Sequence, residues 1–289
     1  TLDDSYVKKL TQYPNKILKN VVSLAHIDTD VQLMAMVNKH CRYKEQNMEK
    51  INMPMTDLYG NPIYTYPPTV IIIDSATDLT LSEAAEATDE SYSTQIGNTF
   101  GMRRAKVMSA IVSKLNMIAR TYNITIFSVN HINIAPQVSI VPQAKQYRGF
   151  KQGETLNGGE RAIYLSSGIL RLDVIKEIGT EKSSMVNMGD GVTGFISNAK
   201  WIKCKTNSKR NAAQLVYTNE FGYDPLLSNI WQAKEMGHLP KSGNFFYLPG
   251  LPQYKFTMKN VRSMFQDHPE MILELYDNLT RWCEPFLDN

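Results

Sequence analysis

"TVIIIDSATDL", residues 69–79, runs Val70 to Ile73 without a polar break and then meets a carboxylate, Asp74. A strand covered on both faces carries such a run, because neither side has to face water, and parallel sheets flanked by helices are where such strands occur. The segments on either side repeat the theme. Upstream, "KNVVSLAHIDTDVQLMAMVNKHC" gives a short β-rich run, a capping break at Asp28, Thr29 and Asp30, and helical spacing at Val31, Met34 and Val37. Downstream, Val107, Met108, Ile111, Val112, Leu115, Ile118 and Ala119 recur at helical spacing before a second buried strand, "NITIFSV". The order is βα, βα, β, which predicts an α/β fold built on a mostly parallel sheet.

Two polar stretches interrupt this order, residues 41–68 with "GNP" and "YPP" as turn punctuation and residues 82–101, and both read as surface excursions. Beyond residues 133–157, "GGERAIYLSSGILRLDVIKEIG" predicts a helical turn and then a strand. "FISNAKWIKCKTNSKRNAAQLVY" predicts two antiparallel strands joined by the basic turn "NSKRN". From Pro225 the pattern turns helical, with a "KSGNFFYLPG" ribbon between helices, so the expected domains are a core over 1–224 and a small carboxyl-terminal α/β lobe over 225–289.

Composition narrows the class. A chain of 289 residues with 43% hydrophobic and 20% charged content can bury a full core, and it holds no apolar run of the roughly 18 residues a membrane helix needs. Cys41, Cys204 and Cys283 are odd in number, far apart and without CxxC or Cys/His spacing, which argues against a disulfide framework or a zinc site and for a reducing, cytoplasmic setting. A net charge of +3 implies no general coating of polyanions, so any anion chemistry must sit in local clusters.

Such clusters exist. An apolar strand ending in Asp is the Walker B pattern, in which the carboxylate holds Mg²⁺ directly or through water, although many α/β strands end in Asp only to cap a loop. His131 closes the second buried strand, at the edge where ligands bind in open α/β sheets. After it, Lys145, Tyr147, Arg148, Phe150 and Lys151 interleave cations with rings, the composition of a single-stranded nucleic-acid contact loop as well as of a plain solvated one. Arg103, Arg104 and Lys106 open a helix against its dipole, which slightly favours an anionic partner. In "KWIKCK", Lys203 and Lys205 share a strand face, an arrangement more natural opposite a phosphate than in isolation.

In combination these pieces resemble, in order and over nearly the whole chain, the RecA family of ATP-dependent DNA recombinases. "GGERAIYLSSGILRLDVIKEIG" is similar to the family's signature closing its second DNA loop, "VIIIDSATDL" to its Walker B strand, "FSVNHI" to its sensor strand, "KWIKCK" to its paired lysines and "DHPEMILELYDNLTRWCEPF" to the small terminal lobe of bacterial members. The resemblance implies a RecA-like P-loop ATPase core with antiparallel strands at one edge, ATP and Mg²⁺ as cofactors, and helical filaments of many copies on single-stranded DNA that pair with double-stranded DNA during recombination and repair. It implies that Asp74 orients the Mg²⁺ water shell beside Ser75, and that His131 senses phosphate where bacterial members carry Gln and related phage ring helicases carry His. Lys203 and Lys205 would act in trans on a neighbour's ATP. Asp3, Tyr6 and Tyr217 would bind the nucleotide, and Arg103, Arg104, Lys106, Lys145, Arg148, Lys151, Gly158 and Gly159 would bind DNA.

One departure is large: the phosphate loop Gly-x4-Gly-Lys-Ser/Thr occurs nowhere in the sequence. "TLDDSYVKKL" resembles the family's segment just after the catalytic glutamate, so the expectation is that the glutamate and the phosphate loop lie upstream of Thr1, by truncation or on a separate amino-terminal chain, and that this chain by itself is inactive as an ATPase. The setting implied is a nucleoid or phage-infected cytoplasm, in the manner of UvsX-type recombinases. Two alternatives stand beside it: a DnaB-type hexameric replicative helicase, and a non-catalytic DNA-binding or filament-regulating relative.

Overall fold

The computed structural model describes residues 27–76, 79–81, 100–134, 149–151, 154–156, 160–179, 186–189, 191–205 and 212–287. The side chains of 100–105, 133–134, 155, 160 and 283–287 lie outside that description. The fold is mixed α/β, and two compact units divide between Ser167 and Gly168.

The first unit opens on helix α1, Asp30–Asn47. Its start is set by a capping box: the Thr29 hydroxyl accepts from the Gln32 amide at 3.2 Å, and the Gln32 side chain accepts from the Thr29 amide at 3.2 Å. Leu33, Val37, Cys41 and Lys44 make its buried stripe, so the helix runs through the start of the stretch read as an excursion. The rest of that stretch is an antiparallel hairpin, β1 (Ile51–Thr56) and β2 (Pro62–Thr65). Strand β3 (Thr69–Ile73), helix α2 (Phe100–Tyr122) and strand β4 (Ile124–Ser128) follow. β3 and β4 pair in parallel, from Thr69↔Ile124 to Ile73↔Ser128. Ile71, Ile73 and Ile126 pack on a core of Leu33, Val37, Met108, Ile111, Leu115 and Ile118 from the two helices.

The amino ends of β3 and β4 are tied by polar contacts. Lys44, with no exposed surface, donates to the carbonyls of Pro67 at 2.6 Å and Tyr122 at 2.8 Å. Tyr122 is the last residue of α2, so the ammonium meets a carbonyl that has no helical partner. Asn123 takes the left-handed conformation, φ 53°, its side chain donating to Tyr66 O at 2.9 Å and its carbonyl accepting from Thr69 N at 3.1 Å. His131 is followed by β5 (Ile132–Ile134), which pairs antiparallel with β6 (Glu154–Leu156), and helix α3 (Glu160–Leu165) packs beside α2.

The second unit is a four-stranded antiparallel sheet in the order β10-β9-β8-β7, with β7 at Gly168–Ile178, β8 at Gly194–Cys204, β9 at Ala212–Thr218 and β10 at Gly222–Tyr223. Helix α4 (Pro225–Glu235), capped by Asp224 accepting from Leu227 N at 2.8 Å, covers one face. A ribbon of β11 (Lys241–Ser242), β12 (Phe245–Leu248) and β13 (Leu251–Phe256) precedes helices α5 (Val261–Asp267) and α6 (Glu270–Leu287). Ile178, Ile196 and Val216 of the sheet share one core with Leu227, Trp231, Leu248, Phe256, Phe265 and Met271. The segment after Pro225 thus closes the sheet that precedes it.

Among the described residues, β3–β4 is the one strand pair that is parallel and every other is antiparallel. The described sheets are therefore mostly antiparallel, where a mostly parallel one was expected, and the β-rich run expected before Asp28 lies outside the described residues. No helix among the described residues is long and apolar enough to cross a membrane.

Candidate functional site

The parallel register brings two of the expected site segments together. β3 ends at Ile73 beside Ser128, and the pairing continues past both strands: Val129 N–H donates to Ile73 O at 2.9 Å and Ala76 N–H to Val129 O at 3.1 Å. Asp74 and Ser75 therefore stand alongside Val129, Asn130 and His131 at the carboxyl edge of the pair. Asp74 and His131 are exposed and Ser75 is buried. The Asp74–Ser75 peptide is cis. A carboxylate and an imidazole at the carboxyl ends of adjacent parallel strands can address one polar ligand from two strands.

The stretch after His131 has an ordered base. β5 begins one residue beyond His131, and its register with β6, Ile132↔Leu156 through Ile134↔Glu154, closes the intervening segment on a ribbon. At the return side Lys151 N–H donates to the Glu154 carboxylate at 2.6 Å, and Glu154 N–H to Lys151 O at 3.1 Å. Lys151 is exposed, whereas Phe150 is only 5% exposed. The sequence had grouped Phe150 with the rings free to stack on bases; it is a buried side chain instead, and the adjoining Gly149, at φ 95°, turns the chain there. Lys145, Arg148, Gly158 and Gly159 lie outside the described residues.

Lys106 is exposed on α2, and Arg103 and Arg104 occupy the same helix upstream of it, their side chains outside the description. Asp3 and Tyr6 lie outside the described residues. Among the described residues, no group of three or more His, Cys, Asp and Glu side chains is placed to hold a metal ion. Asp74 still fits Mg²⁺, which keeps several waters and commonly takes one carboxylate with substrate oxygens.

In the second unit, Lys203 lies near the end of β8 opposite Ile169 of β7, and Lys205 follows one residue past the strand. Burial, and then the charge of Lys205, hold the Lys203 ammonium below the ordinary lysine range. An anion placed against the two would relieve that repulsion. Tyr217 on β9 stacks on Phe195 across the sheet at 4.6 Å between centroids and meets Tyr223 edge-on at 5.3 Å. The ring is fixed by its neighbours, and Gly194, φ 155°, leaves room for the Tyr217 carbonyl at 2.0 Å from where a Cβ would stand.

Two features escaped the sequence. Lys44 is a lysine in a charged, polar stretch, and only its i+3 spacing from Cys41 places it on the apolar stripe of α1. Arg171, 9% exposed, bonds Asp173 at 2.7 Å on the face of β7 opposite Leu170 and Leu172; the alternation Leu170, Arg171, Leu172, Asp173 was its signal. No known protein-family model matches the chain, and no curated protein matches its sequence.

Proposed function

We propose that this chain is part of an ATP-dependent, single-stranded-DNA-binding recombinase with a RecA-like core, forming helical filaments that carry out homologous pairing and strand exchange. The observation that carries the reading is the placement of Asp74 and His131 at the carboxyl ends of adjacent parallel strands, with the ribbon β5–β6 leaving directly from His131.

That arrangement suits a relay. Asp74 holds the water shell of Mg²⁺, whose chemistry when bound is to neutralise the charge of the nucleotide's phosphates. His131 hydrogen-bonds the terminal phosphate, and because Ile132 is already paired with Leu156, a movement of the His131 backbone passes into the ribbon and the segment it closes. Lys145, Arg148 and Lys151 there hold DNA phosphates, with Arg103, Arg104 and Lys106 as a second cationic set and Gly158 and Gly159 closing the loop. Lys203 and Lys205 contact the γ-phosphate of ATP bound by the neighbouring copy, in the manner of arginine fingers, which makes turnover depend on assembly. Asp3, Tyr6 and Tyr217 contribute to the nucleotide site, and the phosphate loop comes from a segment outside these residues.

The test is single-strand binding as a function of salt. Replacing Lys145, Arg148 and Lys151 by Ala is expected to weaken binding and to reduce the slope of log K against log salt by about two, at roughly 0.7 per phosphate contact. A slope equal to that of the unaltered chain would remove that segment, and the relay with it, from DNA binding.

A further inference from the structure

The end of β8 that carries Lys203 is held on one side. β8 pairs with β9 from Gly194↔Thr218 to Lys200↔Ala212, and beyond that point, among the described residues, Trp201, Lys203 and Cys204 pair with β7 alone. That last ladder is itself interrupted. The register steps from Leu170↔Trp201 to Ile169↔Lys203, so Ile202 is an extra residue, a bulge. A bulged ladder on a single neighbour is a weak way to fix Lys203 and Lys205, whose charges repel each other.

One side chain crosses the weak point. Trp201 stands opposite Leu170, and Gly168 is the diagonal neighbour two residues back, within reach of an aromatic ring. A Cβ at Gly168 would stand 2.7 Å from Trp201 Cζ3 and 3.5 and 3.6 Å from Cη2 and Cε3. The edge of the indole therefore lies where any other side chain would begin. Gly168 does not take a left-handed backbone, so its missing side chain serves the close approach of the ring. Ile202, 4% exposed, is buried beside it, so the bulge is pinned by Ile202 and, across the strands, by Trp201.

We infer that Trp201 is a positioning residue: seated across Gly168, its ring fixes the end of β8 to the start of β7 and so holds Lys203 and Lys205 at the place from which they meet a phosphate. The inference rests on the proposed function in that the two lysines act on a nucleotide's phosphate; Trp201 acts through them and touches no substrate. The state of Lys203 agrees with such a restraint. Burial, and then the charge of Lys205, hold its ammonium below the ordinary lysine range, as for two cations kept close and one of them partly out of water. Without the ring on Gly168, the bulged end yields to that repulsion.

A double-mutant cycle between positions 168 and 201 tests it, with two readouts. In the first, the chain without nucleotide or DNA is isotope-labelled at lysine Cε and titrated through the alkaline range by nuclear magnetic resonance. The Lys203 signal is identified by its loss in Lys203→Arg. Trp201→Ala and Gly168→Ala are each expected to move the Lys203 titration up toward the ordinary lysine range, and Trp201→Phe much less. In the Trp201→Ala background, Gly168→Ala is expected to add nothing, because its methyl acts by displacing the ring. Circular dichroism verifies each fold, and Gly168→Ala, which removes no side chain, reads the same shift should Trp201→Ala fail to fold. In the second, ATP turnover on single-stranded DNA is measured with the phosphate-loop segment supplied. Trp201→Ala is expected to lower kcat about tenfold or more with KM for ATP little changed, since misplaced groups from a neighbour cost the transition state more than nucleotide binding. Trp201→Phe restores most of the rate. A Lys203 titration that Trp201→Ala or Gly168→Ala leaves in place, additive effects of the two substitutions, or a Trp201→Phe variant as impaired as Trp201→Ala would each overturn the inference. Turnover of the double variant Lys203→Ala, Lys205→Ala, measured separately, reports on the proposed function; the Lys203 titration needs no ligand and reports on Trp201.

Discussion

Replacing Lys44 by Met removes the ammonium while keeping most of the stem that fills the stripe of α1, so what is lost is chemical more than steric. Two half-buried carbonyls, Pro67 O and Tyr122 O, lose a donor at 2.6 and 2.8 Å from a side chain that itself has no exposed surface. A buried acceptor left without a partner costs about 1–3 kcal/mol, and two of them, less what is regained by not burying an ammonium, amount to about 3 kcal/mol. For a unit of this size that is a fall of about 10 °C in the unfolding midpoint of the first unit. The loss is localised: amide exchange at Thr69 and Ile124, where β3 and β4 begin their pairing, speeds up more than exchange at Val216 in the second unit. A second readout separates charge from packing. Burial holds the Lys44 ammonium below the ordinary lysine range. Between the folded and unfolded values the unfolded chain binds more protons, so this group makes stability rise with pH in the alkaline range, and the variant loses that rise. Thermal melts followed by circular dichroism between pH 7 and 10 measure both. A midpoint within about 2 °C of the unaltered chain, or an unchanged alkaline slope, would refute the clamp.

Asn123→Ala is expected to cost about 2 kcal/mol, since it loses the bond to Tyr66 O and must hold φ 53° without the Asn side chain, whereas Asn123→Gly loses less; urea unfolding of both variants checks the order. Gly194→Ala sets a methyl at 2.0 Å from Tyr217 O and is expected to shift the Phe195–Tyr217 stack and destabilise the second unit by more than about 3 kcal/mol, read from the same melts. Hydrogen bonds from the Asn61 side chain and from the amides of Asn61, Tyr59 and Gly60 hold the Asp57 carboxyl below the usual carboxylate range. Its contribution to the turn is complete above the unfolded value and is lost as pH falls through the folded one. Amide resonances of Tyr59 and Asn61 are therefore expected to hold their positions at neutral pH and to move only below about pH 4.

The strands were the most legible part of the sequence. Val70–Ile73 is apolar without interruption and Ile124–Val129 is broken only by Thr125 and Ser128, and the two became β3 and β4; Thr29, within the polar break at 28–30, caps α1; Pro225, where the pattern turns helical, opens α4. The hairpin was missed although Ile51, Met53 and Met55 alternate with Asn52, Pro54 and Thr56: Pro54 inside the run and the turn residues around it read as surface loop, and with no face buried the alternation marks no core. The adjacency of Asp74 and His131 was half legible. Each could be placed at a strand end, but their pairing depends on β3 and β4 being neighbours across a long connection, which no local pattern encodes. Phe150 shows the opposite failure, since a ring among cations reads the same in sequence whether it stacks on a base or fills a core.

Electron microscopy tests the central claim most directly. The chain, supplied with the phosphate-loop segment that the reading expects outside it, is mixed with single-stranded DNA and a non-hydrolysable ATP analogue. The account predicts continuous helical filaments that form only with both ligands and that are lost when Lys203 and Lys205 are changed to Ala. Closed rings, or filaments indifferent to nucleotide and to the two lysines, would contradict it.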